Sequence, residues 1–403
     1  MAAVGANSPI VNLIVGLLGG VSVAVNVIIA GLIGRGDGHK VKAAVRSMFY
    51  ISLTVGTVLM LFGMLVSKPL LIATQAPANV FDAAVLYLRL YCMCMPFLAV
   101  YNYGASILRS RGDTKRALLV LVIAGLVNTG LNLFFVICLH MGVAGVAVAT
   151  LISNIISAVL LMRIILKEEI APAELLSHPW VDRRSVKLAA SIGIPAGMQG
   201  VLFSFSNMII QAAINGFGAD AIAGNTAAAN FEFFNFYFIS GFAQTAVTFV
   251  SQNYGAGNIE RCRKATRRCL VGGMALSICF IAVLMIFAKF FLGLYSPDPN
   301  VIGYGLVRFK YLVCVHFLIG TYEITAGALR GFGYSMTPTV ISVIGTCVVR
   351  PLWVATVFAA VGTMPVLLIV YPVSWVVTGI AMTAAYFFAL RKIERKAASE
   401  HLI

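Results

Sequence analysis

The chain has 403 residues, of which 60% are hydrophobic and only 11% charged, with a mean hydropathy of +0.96. Soluble proteins carry about 25% charged residues, so this composition excludes a water-soluble globule and leaves a membrane protein. The net charge of +15 arises from 29 Lys+Arg against 14 Asp+Glu. It does not call for a nucleic-acid partner, because the basic residues fall in short loops of alternate parity, as the positive-inside rule requires.

Apolar runs near the ~20 residues that cross a bilayer recur along the chain. Their backbone groups must be satisfied internally, and they lack the alternation of barrel strands, so helices are expected. The first span is predicted from about Pro9 to Ile33, with Gly16, Gly19 and Gly20 small enough to admit a close neighbour. A basic loop with Arg35, Lys40, Lys42 and Arg46 follows, then a second span over about Met48–Val66. Ser67–Asp82, nearly neutral and containing Pro69 and Pro77, reads as an outer loop. A third span runs from about Ala84 to Leu108 and ends at Arg109, Arg111, Lys115 and Arg116. Spans near Leu118–Leu139 and Val143–Ile165 follow, joined by a tight turn at Met141-Gly142.

Lys167–Lys187 is the longest polar stretch and the natural boundary, giving a first lobe over 1–166, a cytoplasmic linker over 167–187 and a second lobe over 188–403. The second lobe is predicted to hold spans near Ala189–Asn215, Ala221–Phe249, Cys269–Leu292, Tyr304–Ala328, Pro338–Ala360 and Val366–Leu390. Six basic residues (Lys68, Arg89, Lys289, Arg308, Lys310 and Arg350) fall outside the inner loops, and the other 23 lie on one side, which places the C-terminus in the cytoplasm. Arg89 and Lys310 read as snorkelling to the outer interface.

The two lobes are copies of one unit. Tyr322–Gly333 reads YEITAGALRGFG, and 221 positions earlier Tyr101–Gly112 reads YNYGASILRSRG. The same offset pairs Gly34 with Gly255, Gly36 with Gly257, Lys68 with Lys289 and Asn79 with Asn300. Such self-similarity outranks any local reading. The expected fold is therefore an all-α polytopic membrane protein with two pseudo-symmetric lobes of a 6+6 helix transporter, eleven helices being present and the first expected upstream of Met1. An even helix count per copy sets the pseudo-twofold along the membrane normal.

Four loops carry a resemblance: Ile33-Gly34-Arg35-Gly36-Asp37, Leu108–Asp113, Ser251–Asn258 and Ala328–Gly333. Together they resemble the multidrug and toxic compound extrusion family, and the likeness covers essentially the whole chain. The resemblance implies a secondary antiporter of the plasma (bacterial inner) membrane. Such a protein expels bulky, often cationic organic compounds in exchange for protons or sodium ions by rocking two lobes. The family's first helix often carries an acidic coupling residue, and that helix is not in this chain. The sodium-coupled branch tends to have a glutamate in its seventh helix, whereas Ile194–Phe203 has none.

A charge deep in a bilayer is costly on any scale, so Glu232, Glu323 and Arg350 need a reason. Their repeat mates are Val11, Asn102 and Thr129, so the charges are confined to the second lobe. Phe231, Phe233, Phe234 and Phe236 surround Glu232. Such walls disfavour a carboxylate and suit a group that gains and loses a proton, and they could face a cationic planar substrate. A carboxylate that caps or pairs near the interface is the plainer reading. Glu323, beside Tyr322, is expected to pair with Arg350 as a structural clamp or coupling element, and Pro351 frees a carbonyl one turn back. Asn102, Asn128, Asn132, Gln199, Ser204, Ser206, Asn207 and Gln211 suggest interhelical hydrogen bonds, a minority of them lining a cavity. Pro195 is a candidate bend, and His316 reads as a packed polar residue that could also titrate.

The substrate and ion-coupling set is thus Glu232, Glu323, Arg350, Tyr322, Asn102, Gln199 and Asn207. The eight cysteines form no CxxC pair or His/Cys cluster, so no metal or disulfide framework is indicated. No GxxxxGK[ST] is present, so ATP is not expected as the energy source, and no nucleophile–base pair suggests an enzyme. The expected partners are a small organic substrate, a coupling H+ or Na+, and the bilayer around a monomer, with no cofactor. The alternative is a flippase for lipid-linked saccharide or polysaccharide precursors, which would need many cavity cations where this chain offers almost only Arg350.

Overall fold

A computed structural model describes residues 2–73, 81–176 and 183–400. Its chain divides into two compact units, Met1–Val201 and Leu202–Ile403. Among the described residues ten helices are long and apolar enough to cross a membrane, or eleven when one bent pair counts as a single span. That pair is the third predicted span.

Unit 1 opens with α1 (Ala2–Gly34) and α2 (Gly38–Ala73). The second helix continues through Pro69, so the expected outer loop begins later than Ser67, and Pro77 lies outside the described residues. α3 (Phe81–Cys92) and α4 (Met95–Ser110) meet at a 41° bend just before Pro96, whose ring removes a backbone donor. α5 (Thr114–Leu133) ends in a π turn, Phe134–Cys138, and α6 (Gly142–Glu168) follows a turn in which His140 and Gly142 both have positive φ. The short α7 (Pro172–Leu176) lies in the polar stretch, and α8 (Arg183–Asn215) runs unbroken through Pro195 and carries the boundary between units. Its first half packs on α1. A Cβ on Gly20 would stand 2.1 Å from the Gly193 carbonyl oxygen, whereas one on Gly19 would meet nothing. The core of unit 1 gathers Ile10, Ile14, Leu18, Leu71, Leu88, Met95 and Ala99 from α1 to α4.

Unit 2 takes the second half of α8, then α9 (Ala219–Gly255) and α10 (Ile259–Ile286), which a short α11 (Ala288–Gly293) extends. The next span is composite: α12 (Pro299–Tyr311), a 3-10 segment over Val313–Leu318, and α13 (Ile319–Gly331). The following span joins α14 (Met336–Ser342), α15 (Val349–Trp353) and α16 (Ala359–Val361) through π turns at Val343–Val348 and Val354–Phe358. Pro351 lacks the N–H that would bond the Cys347 carbonyl, and the first π turn takes up the mismatch. α17 (Met364–Glu400) closes the unit. Here α9 approaches α12 so closely that a Cβ on Gly224 would lie 2.3 Å from the Val301 carbonyl oxygen.

The repeat is visible in the turns. Gly36 and Gly257 share φ of 73°, and Gly112 and Gly333 have 84° and 90°. Asp37 accepts the Lys40 backbone N–H at the start of α2, and its mate Asn258 accepts that of Arg261 at the start of α10. Each closes an open helix N-terminus with a side-chain oxygen.

Candidate functional site

Unit 2 holds a cavity of about 350 Å³ walled by α8, α9, α12, α13, α15 and α17. α9 supplies Asn225, Glu232 and Asn235, spaced by two turns and then one so that they share a face. Opposite stands Arg308 of α12. Its Nε donates to Glu232 Oε1 at 2.5 Å and its Nη2 to Oε2 at 2.7 Å, while Nη1 donates to Asn225 Oδ1. Both charged side chains are buried, about 7% and 10% exposed, so this is a two-pronged ion pair shielded from water.

Beside it, His316 Nδ1 and Asn235 Nδ2 are 2.7 Å apart, and the His316 ring meets Trp375 edge-on at 5.1 Å. Arg350 is fully buried and donates to Asn207 Oδ1 at 2.9 Å and Ser374 Oγ at 3.2 Å. Its guanidinium lies over two rings, 4.6 Å from the Tyr371 centroid and 5.0 Å from that of Phe203. Arg308 also lies over Tyr371, at 5.6 Å.

Four of the seven sequence-selected residues, Glu232, Arg350, Tyr322 and Asn207, line this one cavity. Asn102 and Gln199 belong to unit 1, and Glu323 is not among the lining residues. The expected Glu323–Arg350 ion pair does not form. Tyr322 turns toward the cavity, and the next residue, rotated by about 100° around the helix, carries Glu323 away to interact with Arg330. Arg350 takes neutral partners instead. Glu232 lies in an aromatic setting as expected, but Phe233 and Phe234 are exposed and Phe231 packs on Phe291, Tyr295 and Phe309.

Sequence reasoning missed Arg308, Asn225, Asn235 and Trp375, and set His316 aside. The repeat held a signal for Arg308: its mate is Tyr87, so its charge, like that of Glu232, belongs to the second copy alone. In unit 1 the two helices that correspond to those of Arg350 and Ser374 join through neutral groups, Asn128 Nδ2 donating to Ser153 Oγ at 3.2 Å.

Duplicated bundles of helices long and apolar enough to span a membrane, one enclosing a charged and aromatic cavity, define a polytopic membrane protein. The MatE family profile matches residues 1–134 and 195–355, and the chain belongs to that family. The "Probable multidrug resistance protein YpnP" of Bacillus subtilis (strain 168) is 25% identical over 292 residues, 72% of this chain and 64% of that protein, so the match spans less than two thirds of that relative. The "Probable multidrug resistance protein NorM" of Thermotoga maritima is 24% identical over 365 residues, 87% of this chain and 76% of its own. The fold is that of the Vibrio cholerae MATE transporter VcmN crystallised in the bent form, with a TM-score of 0.87 at 20% identity over 97% of this chain and 89% of that one.

Proposed function

We propose that the chain is a secondary transporter that exports small organic compounds by alternating access, in exchange for protons or sodium ions bound at Glu232. The observation that carries this reading is the Glu232–Arg308 pair, set in the wall of a cavity large enough for a small organic molecule. The names of the relatives above point the same way.

The pair is a two-state element. With Glu232 ionised, Arg308 is held by both carboxylate oxygens and by Asn225. A proton or sodium ion on the carboxylate competes with the guanidinium, releases two charge-assisted hydrogen bonds, and leaves α9 and α12 tied only through Asn225 and their packing. Cation occupancy thereby changes how firmly the two helices are joined around the cavity, which is what coupling requires: a differential free energy between two conformations. With Arg308 neutralised by Glu232, the cavity offers a single uncompensated cation, few for the pyrophosphate of a lipid-linked saccharide, and the flippase reading gains no support.

The test is efflux of a panel of cationic and anionic dyes from proteoliposomes under an imposed pH or sodium gradient. Export driven by one gradient and lost in Glu232→Gln is the expected result. Gradient-independent leakage, or full export by Glu232→Gln, overturns it.

A further inference from the structure

Three buried donors around the cavity have no hydrogen-bond partner among the described residues: Arg350 Nη2, the Tyr322 hydroxyl and Trp375 Nε1. All three residues line the same cavity and are 2% exposed or less. Arg350 has no carboxylate within ion-pair distance among the described residues, its partners being the neutral Asn207 and Ser374. A buried cation without a counter-charge is among the costliest features a fold can keep. Stacking on Tyr371 and Phe203 offsets part of that cost but supplies no acceptor.

The remaining charges do not change the balance. Glu232 is the one carboxylate among the lining residues and is occupied at both oxygens by Arg308. The lining thus carries two guanidinia against one carboxylate, with its unpaired positive charge on Arg350. A cationic ligand would enter beside that charge and find no free carboxylate among the lining residues.

We propose that this cavity takes an organic anion, with a carboxylate, sulfonate or phosphate ester on Arg350, Tyr322 and Trp375 and an apolar or aromatic body against the surrounding rings. The inference rests on the transport reading for its biological sense and narrows the substrate class within it. An anion leaving the cell and a cation entering both move with an inside-negative potential, so exchange of the two gains driving force from it.

The experiment is equilibrium dialysis of the purified full chain in detergent against 1-naphthoate and against 1-naphthylmethylammonium, which share a ring and differ in charge. Naphthoate is expected to bind at least roughly tenfold tighter, the scale of one charge-assisted hydrogen bond. Arg350→Gln should weaken naphthoate by roughly 10- to 100-fold and bring the anion/cation ratio toward one. A merely structural arginine would not move that ratio. Tyr322→Phe and Trp375→Phe keep a ring, remove one donor, and should each weaken naphthoate by roughly two- to tenfold; they carry the test if Arg350→Gln does not fold. Preference for the ammonium probe overturns the proposal, as does unchanged naphthoate affinity in Arg350→Gln or in both aromatic variants. The assay needs no gradient. Arg350-dependent binding without gradient-driven efflux sinks the antiport reading alone, and gradient-driven efflux without anion preference sinks this one alone.

Discussion

Removing one member of the Glu232–Arg308 pair should cost far more than removing both. Glu232→Gln leaves Arg308 charged, buried and held by Asn225, Tyr371 and weak amide contacts, with no carboxylate. Breaking a buried pair from one side costs about 3–5 kcal/mol, because the surviving charge loses its compensation. Unit 2 spans about 200 residues, and an unfolding entropy of ~2.1 cal/mol/K per residue gives about 0.4 kcal/mol/K. Each single variant, Glu232→Gln or Arg308→Gln, should therefore lower the melting temperature by about 7–12 °C. In the double variant two neutral amides can bond to each other, and the loss should be well under the sum. The assay is thermal unfolding of the full chain in detergent for all four proteins, read as a double-mutant cycle. An additive double variant, or single variants that melt with the parent, would show that the pair is not electrostatically coupled and would remove the switch from the proposed mechanism.

Further outcomes follow from the packing and the caps. Gly224→Ala places a methyl carbon against backbone atoms of Val301 and Gly305, so α12 must retreat; a loss of about 1–3 kcal/mol is expected, with efflux reduced because Arg308 moves with that helix. Gly241→Ala on the same α9 meets nothing within 4 Å and should be neutral or stabilising by up to about 1 kcal/mol; equal damage by both variants would refute the close-approach argument. Asp113→Ala removes the cap that accepts the Arg116 N–H at the start of α5 and should cost about 1 kcal/mol at neutral pH. Burial pushes the Asp113 carboxyl up, but hydrogen bonds from the Arg116 backbone and side chain outweigh it and hold it below the usual carboxylate range. Its contribution is therefore full above the unfolded value near pH 4 and is lost as pH falls through the lower folded value. The melting-temperature gap between parent and Asp113→Ala should close in acid, and a constant gap from pH 7 to 3 would contradict that assignment.

The scaffold was legible in the sequence because what builds it is linear. Span lengths follow from runs of apolar residues, and every predicted span has its helix or composite helix in the structure. The turn glycines were legible through the repeat, since Gly36 and Gly257 sit where an L side chain would be strained. The site was legible only by residue type. Depth in the bilayer flagged Glu232 and Arg350, but pairing depends on azimuth, and one step along α13 separates cavity-lining Tyr322 from Glu323. The partner of Glu232 lies 76 residues away, on the first helix of a composite span. Local irregularities such as the π turns beside Arg350 have no hydropathy signature at all.

The asymmetry between the two copies is itself informative. Both keep the cap at Asp37 and Asn258, the positive-φ glycines at Gly36/Gly257 and Gly112/Gly333, and a seryl contact on the last helix, where Ser153 and Ser374 are repeat mates. At the positions of Glu232, Arg308 and Arg350 the first copy has Val11, Tyr87 and Thr129. The first copy forms its spans without these charges, so the charges are not demanded by the helical scaffold, although the π turn at Val343–Val348 beside Arg350 has no counterpart in the continuous α5. Each instead imposes a desolvation cost on the second unit that the first shows to be avoidable. A cost that the fold does not require is explained by what the groups do when something else enters the cavity. In the proposed coupling that entrant is a competing cation for Glu232 and Arg308; in the proposed binding mode it is an anion for Arg350, whose hydrogen-bond partners among the described residues are neutral.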